Sequence, residues 1–319
     1  MSQNLSVRAV AEGLGFLEGP VALEDNRLLF TDIGAGTLNV LDLSSGQVTV
    51  FANVRGAANG VAIGPDGAFY VCNNGGMTCE KSKSGYNVPL PGTRGIDPIS
   101  PCIQRVSANG AVEVLYTHCG DIPLIAPNDL VFDKHGGFYF TDTGHPTGRN
   151  VDLGGLYYAK ADGSSIIELI HESPPHLPLS QPNGCGLSPD GSRLYVAETA
   201  GARIWYWNIR APGELQQEPE QFIRNGGVLL HGNSTYQMYD SLAIDSDGNI
   251  CVAAIIKGGI DVVDPEGNLL YFVSLPLYDP FPTNICFGGA DLQKAYITAS
   301  GTGIIYEVSW PTAGLKLNY

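Results

Sequence analysis

The sequence predicts an all-β fold, a six-bladed β-propeller, and three observations carry that prediction. A hairpin motif recurs six times, and its first residues are Glu18, Asn59, Asn128, Asn183, Asp240 and Thr283. These positions stand 41, 69, 55, 57 and 43 residues apart. Repeats of about 40–50 residues made only of strands and turns are the mark of propeller blades. The composition agrees: 41 Gly, 21 Pro and only 15% charged residues, with no long stretch of helical period. Each motif is also followed by two further strand patterns, so that one repeat supplies a four-stranded blade.

The clearest copy is the third. Leu130-Val131-Phe132 and Phe138-Tyr139-Phe140 flank a turn at 133–137, the pattern of a tight hairpin. It aligns with 59–67, 183–191 and 240–248, and more weakly with copies starting at Glu18 and Thr283. Further strands are predicted at 38–43 and 47–51 in blade one, at 155–159 and 166–170 in blade three, and at 259–263 and 269–273 in blade five. Blade six offers 295–298 and 303–308 and then lacks a fourth strand. The alternating segment 5–11 precedes the first copy and is predicted to supply it. The ring is thereby closed by the N-terminal strand, which leaves no exposed sheet edge.

One domain over 1–319 follows, with an insertion at 74–102 in blade two. That segment carries Gly75-Gly76, Pro89, Pro91, Arg94 and Pro98, shows no strand pattern, and includes Tyr86 and two cysteines. It is expected to be an ordered lid whose Tyr86, Pro89, Pro91 and Ile96 make the pocket smaller and less polar. Its removal is expected to leave the thermal transition largely intact. Shorter excursions at 172–181 and 225–239 precede Asn183 and Asp240.

The formal charge is −15, from 17 basic and 32 acidic residues without a basic cluster, which excludes nucleic acid as a partner. The start lacks an apolar signal core and no apolar run reaches membrane-spanning length, so a cytoplasmic protein is the default, as a monomer or small homo-oligomer. Seven cysteines lack metal-type spacing. Cys72, Cys185, Cys251 and Cys286 fall in predicted strands as buried thiols. A disulfide among Cys79, Cys102 and Cys119 is disfavoured by a reducing compartment.

Five of the six residues that open the motifs bear a carboxylate or a carboxamide. Oxygen donors without Cys or His in register suit a hard cation. Glu18 and Asp240 would neutralise a divalent charge, and Asn128 and Asn183 would add carbonyl oxygens. Calcium is the first choice, with magnesium, manganese, zinc and ferrous iron as the other divalent candidates. Asn and Asp before a strand also cap turns, so the shared register, not the residue type, argues for ligation. Asn59 is expected outside the innermost donors, and Thr283 is the weakest member.

Each second strand returns antiparallel to the face where the first begins. Asp32, Asn73, Asp142, Glu198, Ala254 and Ala299 therefore share a rim with the ring. Asp32, Asp142 and Glu198 are expected to bind backbone amides between blades. Asn73 and Asn74, which open the insertion, and His145 in Thr143-Gly144-His145-Pro146 are the candidates for substrate binding. Trp205-Tyr206-Trp207 reads as core packing.

Glu18-Gly19-Pro20, Pro127-Asn128-Asp129, Pro182-Asn183-Gly184, Asp240 before an apolar strand, Phe287-Gly288-Gly289 and the ending Gly314 to Asn318 resemble the gluconolactonase/regucalcin (senescence marker protein) family. The resemblance spans essentially the whole chain. It implies a six-bladed propeller with a divalent metal on Glu18, Asn128, Asn183 and Asp240, and hydrolysis of a lactone, typically of an aldonic acid. The two-Asn donor set also looks like diisopropyl fluorophosphatase, which implies phosphotriester hydrolysis as the alternative; a non-catalytic calcium-binding propeller is the third reading. The family's arginine-containing sugar motif is not recognisable here, and Arg94 is not a match for it. The leading expectation is metal-dependent opening of a small lactone with Asp240 as general base.

Overall fold

The computed structural model describes residues 5–90, 93–147, 149–152, 154–170, 179–216 and 227–319. Among them there is no helix long and apolar enough to cross a membrane. Six antiparallel sheets of at least four strands stand around an axis. Their innermost strands are Leu17–Leu23, Ala58–Ile63, Pro127–Phe132, Pro182–Leu187, Met238–Ile244 and Pro282–Gly288. Each packs against the next and the sixth packs against the first. The N-terminal strand Val7–Ala11 pairs with Ile304–Ser309, Val7 opposite Val308 and Ala9 opposite Tyr306. Blade six is completed by the chain's beginning, as its sequence pattern requires.

The strands follow from a period of two between faces that are both buried. In Gly137–Asp142, Phe138 and Phe140 enter the layer shared with blade two, beside Tyr70 and Phe132. Tyr139 between them enters the layer shared with blade four, beside Trp205 and Trp207. Tyr206 alternates to the other side of its strand, toward blade five. A blade clamped on both faces has no polar side, which is why its strands read as continuous apolar runs.

Two stretches differ from their sequence reading. Val228–Gly232 lies within the apparent excursion before Asp240, yet it is the outermost strand of blade four, paired with Arg203–Ala211. Residues 171–178 of the other excursion, and Pro91, lie outside the described residues. The insertion, expected without strands, contains the hairpin Thr78–Lys81 and Asn87–Leu90. All seven cysteines are free, including Cys79, Cys102 and Cys119.

The hairpin leaves blade two and crosses the face where the inner strands begin. Buried Asn87 donates from Nδ2 to the carbonyls of Leu14, Gly15 and Ser300 at 3.3, 2.9 and 2.9 Å, and from its backbone N to Gly301 at 2.7 Å. Met77 and Cys79 pack on Phe16, Ile33 and Ala57, as Phe281 does. The insertion is thus pinned across the seam between blades one and six. Asn87 argues against the expectation that the thermal transition is indifferent to the insertion, because the buried Ser300 carbonyl and the half-buried carbonyls of Leu14 and Gly15 depend on it. Ile96, expected to wall the pocket, is 95% exposed.

Candidate metal centre and active site

Every inner strand carries the same irregularity. Its pairing shifts by one residue, between Glu18 and Val21, Ala58 and Val61, Pro127 and Leu130, Pro182 and Cys185, Tyr239 and Leu242, and Pro282 and Asn284. One extra residue interrupts the alternation, so two successive side chains turn away from the layers between blades. The ring therefore has two tiers. Glu18, Asn59, Asn128, Asn183, Asp240 and Thr283 form the upper tier, none more than 8% exposed. Gly19, Gly60, Asp129, Gly184, Ser241 and Asn284 form the lower. Contacts link the two: Asn284 Nδ2 donates to Glu18 Oε2 at 2.8 Å, and Ser241 Oγ donates to Asn183 Oδ1 at 3.3 Å. A Cβ at Gly60 would collide with the Asp129 carboxylate, and one at Gly184 with the Ser241–Leu242 backbone. Glycine is what lets neighbouring inner strands approach so closely at this level.

The two tiers concentrate negative charge. Burial, then the charges of Asp240 and Asp129, push the Glu18 carboxyl well above the usual range, against hydrogen bonds from Asn284 and Gly19. Burial pushes Asp240 up to about 8, against the Asn183 carboxamide, with the Asp129 charge adding to it. Burial likewise pushes Asp129 up to about 7. Among the described residues, no Lys, Arg or His lowers the pKa of any of the three. The carboxamide oxygens Asn59 Oδ1 and Asn128 Oδ1 are buried without a hydrogen-bond partner. Three carboxyls and two orphaned carbonyl oxygens around one axis are what a hard cation would satisfy. Among the described residues no three of His, Cys, Asp and Glu form a ligand cluster. Half of the expected donors are carboxamides, and Asp129 sits one tier down. Thr283 has no such role: its Oγ1 is occupied by Leu17 O, Thr298 Oγ1 and Ser300 Oγ, each at 2.8 Å.

The rim residues divide. Asp32, Asn73, Asp142, Glu198, Ala254 and Ala299 each pair with the residue just before a ring position, so rim and ring share a face. Asp142 accepts from the amides of Ile125, Ala126 and Gly144 at 2.8, 2.7 and 2.9 Å. Glu198 accepts from Ser180 N and Arg203, and Asp32 from Ala35 N. Asn73, expected to touch substrate, is a brace of the same kind. Its Oδ1 accepts from Ala57 N and Gly75 N at 3.0 Å, and its Nδ2 donates to Arg55 O and Gln104 Oε1. Fully buried and saturated, it has nothing left to offer a ligand. Asn74 differs: its backbone N donates to Ala57 O and its Oδ1 is buried without a partner. His145 is half-buried and held by a mutual backbone pair with Asp152 at 3.1 and 3.0 Å.

Asp129, Ser241 and Asn284 are the site residues that one-position-per-repeat reasoning misses. The available signal was the polar residue directly after the ring position, inside otherwise apolar strands. Below the lower tier the axis opens into a cavity of about 830 Å³, walled by Leu130, Leu242 and Ile285 and bounded by the tail from Leu315 to Tyr319.

A family model described as SMP-30/Gluconolactonase/LRE-like region matches residues 16–301. A gluconolactonase of Zymomonas mobilis subsp. mobilis is 28% identical over 319 residues, covering 92% of this chain and 79% of that protein. Lactonase drp35 of Staphylococcus saprophyticus is 28% identical over 262 residues, 82% of this chain and 70% of that protein. Among solved structures, a gluconolactonase of Xanthomonas campestris superposes with a TM-score of 0.72 at 21% identity, covering 97% of this chain and 90% of that one. A calcium-binding protein, regucalcin, of Agrobacterium tumefaciens gives 0.70 at 18%, covering 98% of each. These two likenesses show the propeller fold.

Proposed function

The chain belongs to the SMP-30/gluconolactonase/LRE-like family, and on that premise we propose that it is a lactone hydrolase working around a divalent cation on the propeller axis. The names of its relatives, gluconolactonase and lactonase, support the reaction class. The observation that carries the metal is the set of three buried carboxyls without a cationic partner among the described residues, beside the orphaned oxygens of Asn59 and Asn128. Glu18, Asn128, Asn183 and Asp240 would hold the ion, with calcium favoured by all-oxygen donors. When bound, such a cation supplies Lewis acidity toward a carbonyl oxygen.

The chain's own groups supply the rest. Glu18 is oriented by Gly19 N and Asn284 Nδ2, both on Oε2, which leaves Oε1 for the axis. Asp240 is oriented by Asn183 and by the Ser241 amide. Next to a cation its carboxyl returns to the ionised form, and its free oxygen takes a proton from the attacking water. Asn74 offers one acceptor and His145 one ring to a substrate at the rim.

The test is acid release from a lactone panel before chelation, after exhaustive chelation and after return of calcium. Activity is expected to vanish with chelation and to return with the ion. Full turnover by the chelated protein would refute the reading.

A further inference from the structure

We infer that the insertion hairpin selects lactones bearing an alkyl or aryl substituent over polyhydroxylated ones, a specificity that rests on the lactone-hydrolase reading above. Met77 and Cys79 pack on the cluster that contains Phe16 and Ala57, on which Phe281 also packs. Phe16, Ala57 and Phe281 each precede a ring residue by two positions: Glu18, Asn59 and Thr283. The cluster that the insertion covers thus adjoins the starts of the three inner strands that carry these ring residues, Leu17–Leu23, Ala58–Ile63 and Pro282–Gly288.

Among the described residues, the polar side chains that tie the insertion down are already engaged. Asn87 serves three backbone carbonyls, Asn73 is saturated, and Thr93 Oγ1 links Thr78 N to Leu90 O, while Asp32, near Cys79, accepts from Ala35 N on Oδ1. Glu80, Lys81 and Arg94 stay exposed to solvent. What remains half-buried against the apolar cluster is Met77, Cys79 and Phe281. Asn74 Oδ1 is one unpartnered acceptor at the base of the hairpin, enough for a single hydroxyl. A substrate carrying several hydroxyls would leave most of them without partners there, whereas an alkyl or aryl group would be removed from water. An apolar wall discriminates against an added hydroxyl by roughly a hundredfold.

The experiment compares δ-octalactone with glucono-δ-lactone, which share a six-membered ring, in the calcium-loaded protein after subtracting spontaneous hydrolysis. The expected kcat/KM ratio favours the alkyl lactone by about a hundredfold. Met77→Gln is expected to bring the ratio toward parity by raising KM for δ-octalactone, with kcat nearly unchanged. A merely structural role would not produce that split. Should Met77→Gln lower Tm, the near-isosteric Cys79→Ser repeats the measurement. A wild-type preference for glucono-δ-lactone, or a ratio untouched by both substitutions, overturns the inference and leaves lactone hydrolysis standing. Failure to open either lactone overturns the lactonase reading itself, and this inference with it.

Discussion

Blades six, one and two hold their share of the ring differently from blades three, four and five. In the first half Glu18 is the only acidic member, Thr283 is occupied by neighbouring hydroxyls, and a hairpin pinned by Asn87 stands above. The second half contributes Asn128, Asn183 and Asp240, with Asp129 beneath them, and the hairpin does not reach it. On the proposed reading, one scaffold repeated six times would divide its work, three blades anchoring the insertion and three supplying most of the donors and the candidate base. The repeats share a bulge and a register, so the difference lies in side chains and in one insertion.

Substitutions in the two halves should sort into two kinds of effect. The largest belongs to Asp240→Asn, expected to lower kcat about a hundredfold or more while the fold persists, read by steady-state kinetics beside circular dichroism. Thr283→Val, at the matching position of the walled half, should spare kcat and cost stability instead. Equal losses of turnover from both would erase the division.

Asn87→Ala comes next. It leaves the buried Ser300 carbonyl and the half-buried carbonyls of Leu14 and Gly15 without their donor, and should cost about 1–3 kcal/mol in urea unfolding. Unchanged stability would mean that the hairpin rests on the rim without holding it.

The third effect is a pH dependence confined to the metal-free protein. Folded Asp129 and Asp240 keep a proton up to about 7 and about 8, whereas an unfolded carboxyl loses it near about 4. Between those limits the folded state binds more protons, so stability falls as pH rises across the window. Tm in chelator should drop from pH 5 to pH 8, and saturating calcium should remove most of the drop. A Tm that rises with pH in chelator would contradict the buried carboxyl cluster.

The smallest effect separates the two orphaned carboxamides. By calorimetry, Asn128→Ala should weaken calcium binding by at least about tenfold, or 1.4 kcal/mol, and Asn59→Ala by much less. The reverse order would move the site toward the walled half.

Much of this was legible in the sequence. Strand alternation and six hairpins in one register, four of them led by Asn or Asp, pointed to the blades, the closure by the N-terminal strand and the ring. The bulge was not legible, because aligning one residue per repeat hides an extra one, and with it Asp129, Ser241 and Asn284. Asn73 was misread for a chemical reason: the carboxamide that ligates a cation is also the group that caps a loose backbone, and only burial and bonding tell them apart. The hairpin at Thr78–Lys81 and Asn87–Leu90 was hidden by the Gly and Pro around it and by its short strands. Asn87 owes its importance to Leu14, Gly15 and Ser300, which are remote in sequence. Pairing of that range has no local signature.

The central claim is the ion on the axis. Anomalous scattering from crystals soaked in manganese addresses it without reference to activity. One peak is expected in the upper tier, with Glu18, Asn128, Asn183 and Asp240 as its protein neighbours. No axial peak, or a peak held in the lower tier by Asp129 and Asn284 alone, would contradict it.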